Sequence, residues 1–184
     1  MEKMIIETIA ALYYALPGLI ANMLPIFGKK RLGFLAIPAD FKKKFRSRRI
    51  LGNNKTIRGF VLGICGGALI GLIQYFIQDT GFISGVVFIK YTLFGGIFAG
   101  AVFGFAALFG DALESFFKRQ IGIDPGKPFI PFDQLDYIIG IIAFSFLIKP
   151  MTLQMIIGLL IAGPLLHILS TKIGYFLKIR KEKW

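Results

Sequence analysis

An all-α bundle embedded in a membrane, with about five transmembrane helices, is the fold class that the sequence predicts. Hydrophobic residues make up 55% of its 184 positions, charged residues make up 17%, and the mean hydropathy is +0.70. Long uncharged runs alternate with short charged segments, and about 20 apolar residues are enough to cross a bilayer. This composition excludes a soluble fold, a disordered chain and a coiled coil. We expect residues 1–184 to form a single membrane-embedded domain.

Five apolar windows are candidates for the membrane-spanning helices. They lie at residues 4–26, 59–78, 86–109, 129–148 and 151–171. The first window has almost no basic residues before it and exceeds the apolar core of a signal peptide, so we interpret it as a retained helix. The fourth window is charge-free only over residues 137–148. Its helix must recruit residues before Tyr137, or it forms a re-entrant segment and leaves four true spans.

The distribution of Lys and Arg predicts an orientation in the cell membrane. The loop 28–58 carries 11 of these residues, the loop 110–136 carries three and the tail 172–184 carries five, against three on the opposite side. Because cytoplasmic segments retain basic residues, both loops and the C-terminus are expected inside and the N-terminus outside. The net charge of +12 therefore needs no nucleic-acid partner. We interpret the basic stretch 42–49 as a segment that binds anionic headgroups.

Glycines spaced four residues apart predict that the second and third helices pack together. The second helix carries Gly59, Gly63, Gly67 and Gly71, and the third carries Gly96, Gly100 and Gly104. Small residues at this spacing share one helix face and let two backbones approach closely in lipid. We therefore expect the polar segments at the ends of these helices, 52–58 and 110–119, to meet.

The acidic residues concentrate in the loop 110–136, which holds half of the ten carboxylates in the chain. If the third helix continues past Gly110, then Asp111, Glu114 and Lys118 share a face, with Ser115 and Arg119 beside them. Asp133 and Asp136 repeat the i, i+3 spacing on the next helix. Four carboxylates from two helices predict a Mg²⁺ site, since Mg²⁺ prefers oxygen ligands. With one Cys and one His, the chain offers no zinc spacing.

A second polar motif, GNNKTIRG at residues 52–59, precedes the second helix. Lys55, Thr56 and Arg58 at a helix start offer cations, a hydroxyl and free N–H groups to a phosphate. Both motifs also allow purely structural interpretations. Glu114 and Lys118 can form a simple i, i+4 pair, the aspartates can be helix caps, and 52–59 can be a basic flank with an Asn-rich turn.

These two motifs, GNNKTIRG and GDALESFFKRQIGIDPGKPFIPFDQLD, resemble the signatures of the CDP-archaeol synthase family, the archaeal relatives of CDP-diacylglycerol synthases. The resemblance implies a CTP- and Mg²⁺-dependent cytidylyltransferase of phospholipid biosynthesis. Its lipid substrate would be a geranylgeranylated glycerol 1-phosphate ether, converted to CDP-archaeol with release of pyrophosphate. The bacterial ester-lipid relatives carry a His-Gly-Gly element near the last Asp pair. No His stands near that pair here, so diacylglycerol chemistry is the less favoured variant.

The family motif also implies roles for individual residues. Catalysis would depend on Asp111, Asp133, Asp136, Lys118 and Arg119, and the metal would be held by Asp111, Glu114, Asp133 and Asp136. Contacts to the nucleotide or its phosphates would come from Asn54, Lys55, Thr56, Arg58, Ser115 and Lys127. The alternative from another class is an ion or proton transporter. It predicts ionisable residues near the middle of several spans, whereas these carboxylates cluster at helix ends.

Overall fold

The computed structural model contains five α-helices and one small β-hairpin, and it describes residues 2–25, 33–81, 83–125 and 127–176. Part of the basic charge counted above, on residues 29–31 and 178–183, lies outside the described residues. The helices are α1 (Glu2–Met23), α2 (Ile57–Ile77), α3 (Leu93–Gln120), α4 (Phe132–Ser145) and α5 (Leu153–Phe176). The hairpin strands are β1 (Lys44–Phe45) and β2 (Arg48–Arg49).

The predicted helical membrane bundle is confirmed. Among the described residues, four helices, all except α4, are long and apolar enough to cross a membrane. At about 1.5 Å per residue, the 14 residues of α4 span only about 21 Å, which is less than a bilayer core. The chain still traverses the bundle at this point, because Asp133 contacts α3 near its last turn, whereas Lys149 contacts Phe88, which precedes α3.

The surface of the bundle is apolar, as a lipid environment requires. On α2, Leu69 and Phe76 are 57% and 68% exposed, and on α5 Leu165 is 63% exposed. A soluble protein could not carry this much contiguous exposed apolar surface. The buried centre is formed by Tyr14, Phe103, Ile138, Ile141, Met155 and Leu159.

Helices α2 and α3 pack through their glycines, as the spacing predicts. A Cβ on Gly71 would collide with the carbonyl oxygen of Gly96, and a Cβ on Gly100 would collide with that of Gly67. The backbones therefore lie too close together for any side chain between them. Because the contact continues along the helices, the start of α2 is held beside the last turns of α3.

Helix α4 is placed against α3 by a second pair of glycines that the spacing analysis overlooked. A Cβ on Gly110 would collide with the carbonyl oxygen of Asp136, and one on Gly140 would collide with that of Ala106. The missed signal was one glycine on each helix, and a single glycine has no period. This contact brings the backbone of Asp136 next to Gly110, the residue before Asp111.

The helix bounds differ from the predicted windows by several residues, and α3 and α4 show the physical reasons. The third span was expected at 86–109, but α3 begins at Leu93, where Thr92 caps it by accepting a hydrogen bond from the Gly95 N–H at 3.1 Å. It then continues to Gln120, as the face-sharing argument required. The fourth span was expected at 129–148, but α4 covers only Phe132–Ser145.

The hairpin is the element that an all-helical prediction does not include. Lys44 pairs with Arg49 and Phe45 with Arg48. The two turn residues, Arg46 and Ser47, have φ values of 47° and 68°, the left-handed conformation of a two-residue hairpin turn. Arg-Ser lacks the Asn-Gly signal that usually predicts such a turn, which is why the sequence did not indicate it.

Candidate active site

The last turns of α3 present the polar face that the spacing predicts. Glu114, Ser115, Lys118 and Arg119 are all buried, with 6–8% of each residue exposed. Solvated surface charges on a helix would be far more exposed. Within this face the Lys118 ammonium lies 3.4 Å from the Glu114 carboxylate, so the predicted i, i+4 pair exists, but it is a buried pair.

Three carboxylates from α3 and α4 converge into one group. Oxygens of Asp111, Glu114 and Asp136 all lie within 4.8 Å of one another. Asp136 and Glu114 are 9% and 8% exposed. Carboxylates this close, two of them buried and Asp111 half-buried, repel each other strongly unless a cation compensates them, and hard oxygen donors suit a divalent cation. The donor set therefore fits a metal.

Asp133, the fourth predicted metal ligand, has a different environment. One of its oxygens accepts a hydrogen bond from the Lys118 ammonium at 2.6 Å, and the other accepts from the backbone N–H of Phe129. Within the part of the chain that the structure describes, the metal-compatible group does not include it. Asp133 therefore orients Lys118 and closes the turn before α4.

The two polar motifs meet, as the glycine packing predicted. The Lys55 ammonium lies 2.6 Å from each oxygen of Asp111. Burial opposes the charge on Lys55, but the Asp111 carboxylate prevails, and the pKa of Lys55 is raised above its usual value. Lys55 is thus a cation at neutral pH beside the carboxylate group.

The rest of the GNNKTIRG motif forms the start of α2. The Thr56 hydroxyl accepts a hydrogen bond from the Gly59 N–H at 3.2 Å, so it caps the helix. Arg58 is half-buried in the first turn, and Asn54 is exposed in the preceding turn. Lys127 is exposed in the loop before α4, where its backbone N–H donates to Asp124 at 3.1 Å.

A basic cleft of about 370 Å³ lies between the hairpin and the C-terminal end of α3. It is lined by Arg48, Arg49, Gly52, Asn53, Arg119 and residues 122–125. The Arg119 Nε donates to the Ser115 carbonyl at 3.4 Å, while its Nη1 is buried and, among the described residues, has no hydrogen-bond partner. A buried guanidinium with unused donors is costly unless an anion binds there.

Two arginines of the basic stretch 42–49 have contacts within the protein, which the headgroup interpretation did not anticipate. Arg48 donates to the carbonyl oxygens of Arg119 at 3.4 Å and Gln120 at 2.6 Å, which joins the hairpin to the end of α3. Arg49 forms an ion pair with Asp40 at 2.7 Å. Sequence reasoning missed these cleft residues, although Asp40 is the single acid in an otherwise basic loop.

Comparison with known proteins identifies the family. The family model described as CarS-like, CDP-archaeol synthase, matches residues 1–184. This chain belongs to the CDP-archaeol synthase family. The CDP-archaeol synthase of Methanocaldococcus jannaschii is 36% identical over 177 residues, covering 95% of this chain and 96% of its own. That of Methanopyrus kandleri is 34% identical, with 94% and 91% coverage.

A solved structure supports the same assignment. It is described as an intramembrane enzyme for archaeal membrane lipid biosynthesis, and it matches with a TM-score of 0.69 and 28% identity. The match covers 87% of this chain and 91% of the other. The family resemblance read from the two motifs is thereby confirmed, and this CDP-archaeol synthase family member is a multi-pass membrane enzyme with nucleotide and lipid substrates.

Proposed function

We propose that this protein transfers the cytidylyl group of CTP to a geranylgeranylated glycerol 1-phosphate ether lipid, forming CDP-archaeol and pyrophosphate, with Mg²⁺ as cofactor. The observation that carries the proposal is the junction of the two family motifs. Lys55 from one motif contacts Asp111 from the other, beside the carboxylates of Glu114 and Asp136. The family membership of the whole chain supports the same reaction.

The reaction needs alignment and charge neutralisation more than a base. A phosphate monoester has a second pKa near ~6 and is largely deprotonated at neutral pH. One of its oxygens attacks the α-phosphorus of CTP, a P–O bond forms, and the bond to the β-phosphate bridging oxygen breaks to release pyrophosphate. A site without a catalytic His or Cys suits this chemistry, and here the single His167 lies on α5 near Tyr137, with ring centroids 5.9 Å apart.

The carboxylate group would hold the metal, and the basic residues would bind the phosphates. Bound Mg²⁺ would neutralise phosphate charge and orient the reacting groups. Asp111, Glu114 and Asp136 are the proposed ligands, and Lys55 compensates part of their charge through its contact with Asp111. Lys118, held by Asp133 and Glu114, and Arg119 are proposed to stabilise the pyrophosphate that leaves.

The nucleotide would occupy the basic cleft. Three arginines line it, and Arg119 belongs both to the cleft and to the polar face of α3. A nucleoside triphosphate carries the negative charge that these guanidinium groups match. Asn54, Thr56, Arg58, Ser115 and Lys127 remain proposed phosphate or nucleotide contacts, with Thr56 contributing first of all as the cap of α2.

Substrate assays test the proposal directly. Purified protein in detergent would be incubated with each of the four nucleoside triphosphates and either a prenylated ether or a diacyl ester glycerol phosphate, with pyrophosphate release as readout. We expect CTP and the ether lipid to react fastest. Turnover that requires the ester lipid would favour a CDP-diacylglycerol synthase. No turnover with any pair, together with ion flux in proteoliposomes, would favour the transporter alternative.

We also propose that the site faces the cytoplasm, which the excess of basic residues at this end supports. Cys65 is the only cysteine, so a Cys65→Ala variant provides a cysteine-free background. In that background, single cysteines at Lys43 and Asp124 should react with an impermeant maleimide only after spheroplasts are opened. A cysteine at Ser84, the control between α2 and α3, should react in intact spheroplasts. Labelling of positions 43 and 124 on opposite sides would refute both the topology and the composite site.

A further inference from the structure

Asp40 is a buried carboxylate with an unusually complete set of donors, and none of the predicted roles included it. Its side chain is fully buried. Oδ2 accepts hydrogen bonds from Arg49 Nε at 3.1 Å, Leu51 N–H at 3.0 Å and Gly52 N–H at 3.1 Å. Oδ1 accepts from Arg49 Nη2 at 2.7 Å and Lys42 N–H at 3.0 Å. Three backbone N–H groups and two nitrogens of the Arg49 guanidinium thus donate to this one carboxylate.

These bonds determine the shape of one side of the basic cleft. Asp40 holds the Arg49 guanidinium through two of its nitrogens, and the third, Nη1, donates to the Asn53 side chain at 3.0 Å. Gly52 has a φ of +94°, and its N–H is one of those bound by Asp40. Arg49, Gly52 and Asn53 all line the cleft that Arg119 also lines. Asp40 itself does not line it.

Lys55 is held by contacts that do not involve the Asp40 carboxylate. The Ala39 N–H donates to the Lys55 carbonyl at 2.8 Å, and the Ile57 N–H donates to the Ile37 carbonyl at 2.9 Å. The Lys55 ammonium is held in turn by Asp111. The cleft wall 49–53 and the Lys55 contact are therefore anchored separately, so they can be perturbed separately.

We propose that Asp40 is a positioning residue for nucleotide binding, which acts by fixing Arg49 and residues 51–53 in the wall of the cleft. The inference rests on the proposed function, because it takes the nucleoside triphosphate as the ligand of the cleft. Its distinctive consequence is a change in the affinity for the nucleotide and not in the chemical step. The groups that hold the metal and the leaving phosphate lie on α3, on α4 and at Lys55.

The Asp40→Asn variant distinguishes the bonds accepted by Oδ2 from those accepted by Oδ1. An amide oxygen can replace Oδ2 and still accept from the N–H groups of Leu51 and Gly52. The amide NH₂ then faces Arg49 Nη2 and the Lys42 N–H, which are both donors, so the guanidinium loses its Nη2 contact and the opposite charge and keeps only the Nε bond to the amide oxygen. We expect the KM for CTP to rise at least tenfold, with kcat and the KM for the lipid within about twofold of wild type. Asp40→Ala, which loses every bond, should raise the KM for CTP further.

Asp79→Asn is the matched control. Asp79 also pairs with a basic residue, Lys90, at 2.5 Å, but this pair is exposed at the other end of the bundle. The control should leave both KM values unchanged. If Asp40 were only structural, Asp40→Asn would lower the melting temperature and the active fraction while the KM for CTP stayed the same, and that result would overturn the proposal.

A direct binding measurement distinguishes this proposal from the proposed function. Titration calorimetry with a CTP analogue whose α,β bridge is a methylene group should show binding to wild type that weakens at least tenfold in Asp40→Asn. Equal binding to both refutes the role of Asp40 and leaves the activity standing. No binding to wild type refutes the nucleotide cleft itself. If Asp40→Asn does not fold, Arg49→Lys keeps the charge but loses the two-nitrogen contact, and it must then raise the KM for CTP as well.

Discussion

The two ends of the bundle both contain buried polar side chains, but they use them differently. At the end away from the carboxylate group, the Gln78 amide both donates to the Tyr91 carbonyl at 2.8 Å and accepts from the Tyr91 N–H at 2.7 Å. The Tyr14 hydroxyl likewise donates to the Lys149 carbonyl at 2.8 Å and accepts from the Lys149 N–H at 3.2 Å. Both of these side chains are paired with backbone groups of a neighbouring segment.

At the carboxylate end, charged side chains lie against other charged side chains and not against backbone groups. Asp111, Glu114 and Asp136 lie together with Lys55 and Lys118 as the adjacent cations. Buried polar groups normally find complete sets of partners, and those that do not are commonly reserved for ligands. The difference teaches that a buried polar side chain closed by backbone partners serves the fold here, whereas buried charges that lie together, or that keep an unused donor as Arg119 does, indicate function.

Metal removal should give the largest effect and bears on the carboxylate end alone. Chelation should abolish turnover, and added Mg²⁺ should restore it, because three clustered acids need a divalent cation to act together. Mg²⁺ should also raise the melting temperature of wild type in detergent, since a ligand that binds the folded state stabilises it. Full turnover in metal-free buffer would contradict the role given to these acids.

Substitution of the two aspartates of α4 sharpens the distinction within the carboxylate end. Asp136→Asn removes a proposed metal ligand and should cost more than about 100-fold in turnover, together with the stabilisation by Mg²⁺. Asp133→Asn loosens Lys118, an outer contact, for which a loss of about 10- to 100-fold is typical. Steady-state kinetics, with size-exclusion profiles to verify folding, checks both values. Near-wild-type rates for both variants would favour the transporter alternative.

A side chain added to the glycine contact of α2 and α3, between the two ends, should lower the stability of the protein. In Gly100→Ala the new Cβ meets the Gly67 carbonyl oxygen, and overpacking of this kind costs about 1–3 kcal/mol. Gly81→Ala is the matched control, because a Cβ there meets nothing within 4 Å. Thermal unfolding in detergent should separate the two variants clearly. Equal melting temperatures would show that α2 and α3 do not pack through these glycines.

A substitution at the opposite end should lower stability without changing substrate affinity. Gln78→Leu leaves the Tyr91 N–H and carbonyl without their partner, which costs about 1–2 kcal/mol. The KM values for CTP and lipid should stay at wild-type levels in the folded fraction. A changed KM for either substrate would contradict the assignment of a purely structural role to this end.

The smallest effect is expected at the exposed ion pair of the same end. Asp79 and Lys90 have side chains that are 70% and 73% exposed. Exposed pairs contribute little, so Asp79→Asn should change the free energy of unfolding by less than about 0.5 kcal/mol. Differential scanning calorimetry of wild type and Asp79→Asn checks this value. A loss of stability as large as that of Gln78→Leu would mean that the exposure of an ion pair does not indicate how much it stabilises the fold.

The sequence by itself determined the features that depend on local spacing. Runs of apolar residues predicted helices in a membrane, and steps of four predicted the glycine contact of α2 and α3. The i, i+3 and i+7 positions of Asp111, Glu114 and Lys118 predicted their common face. Such features follow from the helical repeat alone, so no knowledge of distant segments is needed. Motif resemblance added the family, which the comparisons confirmed.

The tertiary structure decided which charges meet. Asp133 and Asp136 have the same spacing and residue type, yet Asp136 joins the carboxylate group and Asp133 pairs with Lys118. The single glycines Gly110 and Gly140 set this outcome, because they determine how closely α4 approaches α3. The role of Asp40 depends on the hairpin, which brings Arg49 back to it. Competition between several acids for few cations depends on distances across the fold, and spacing along one helix cannot encode them.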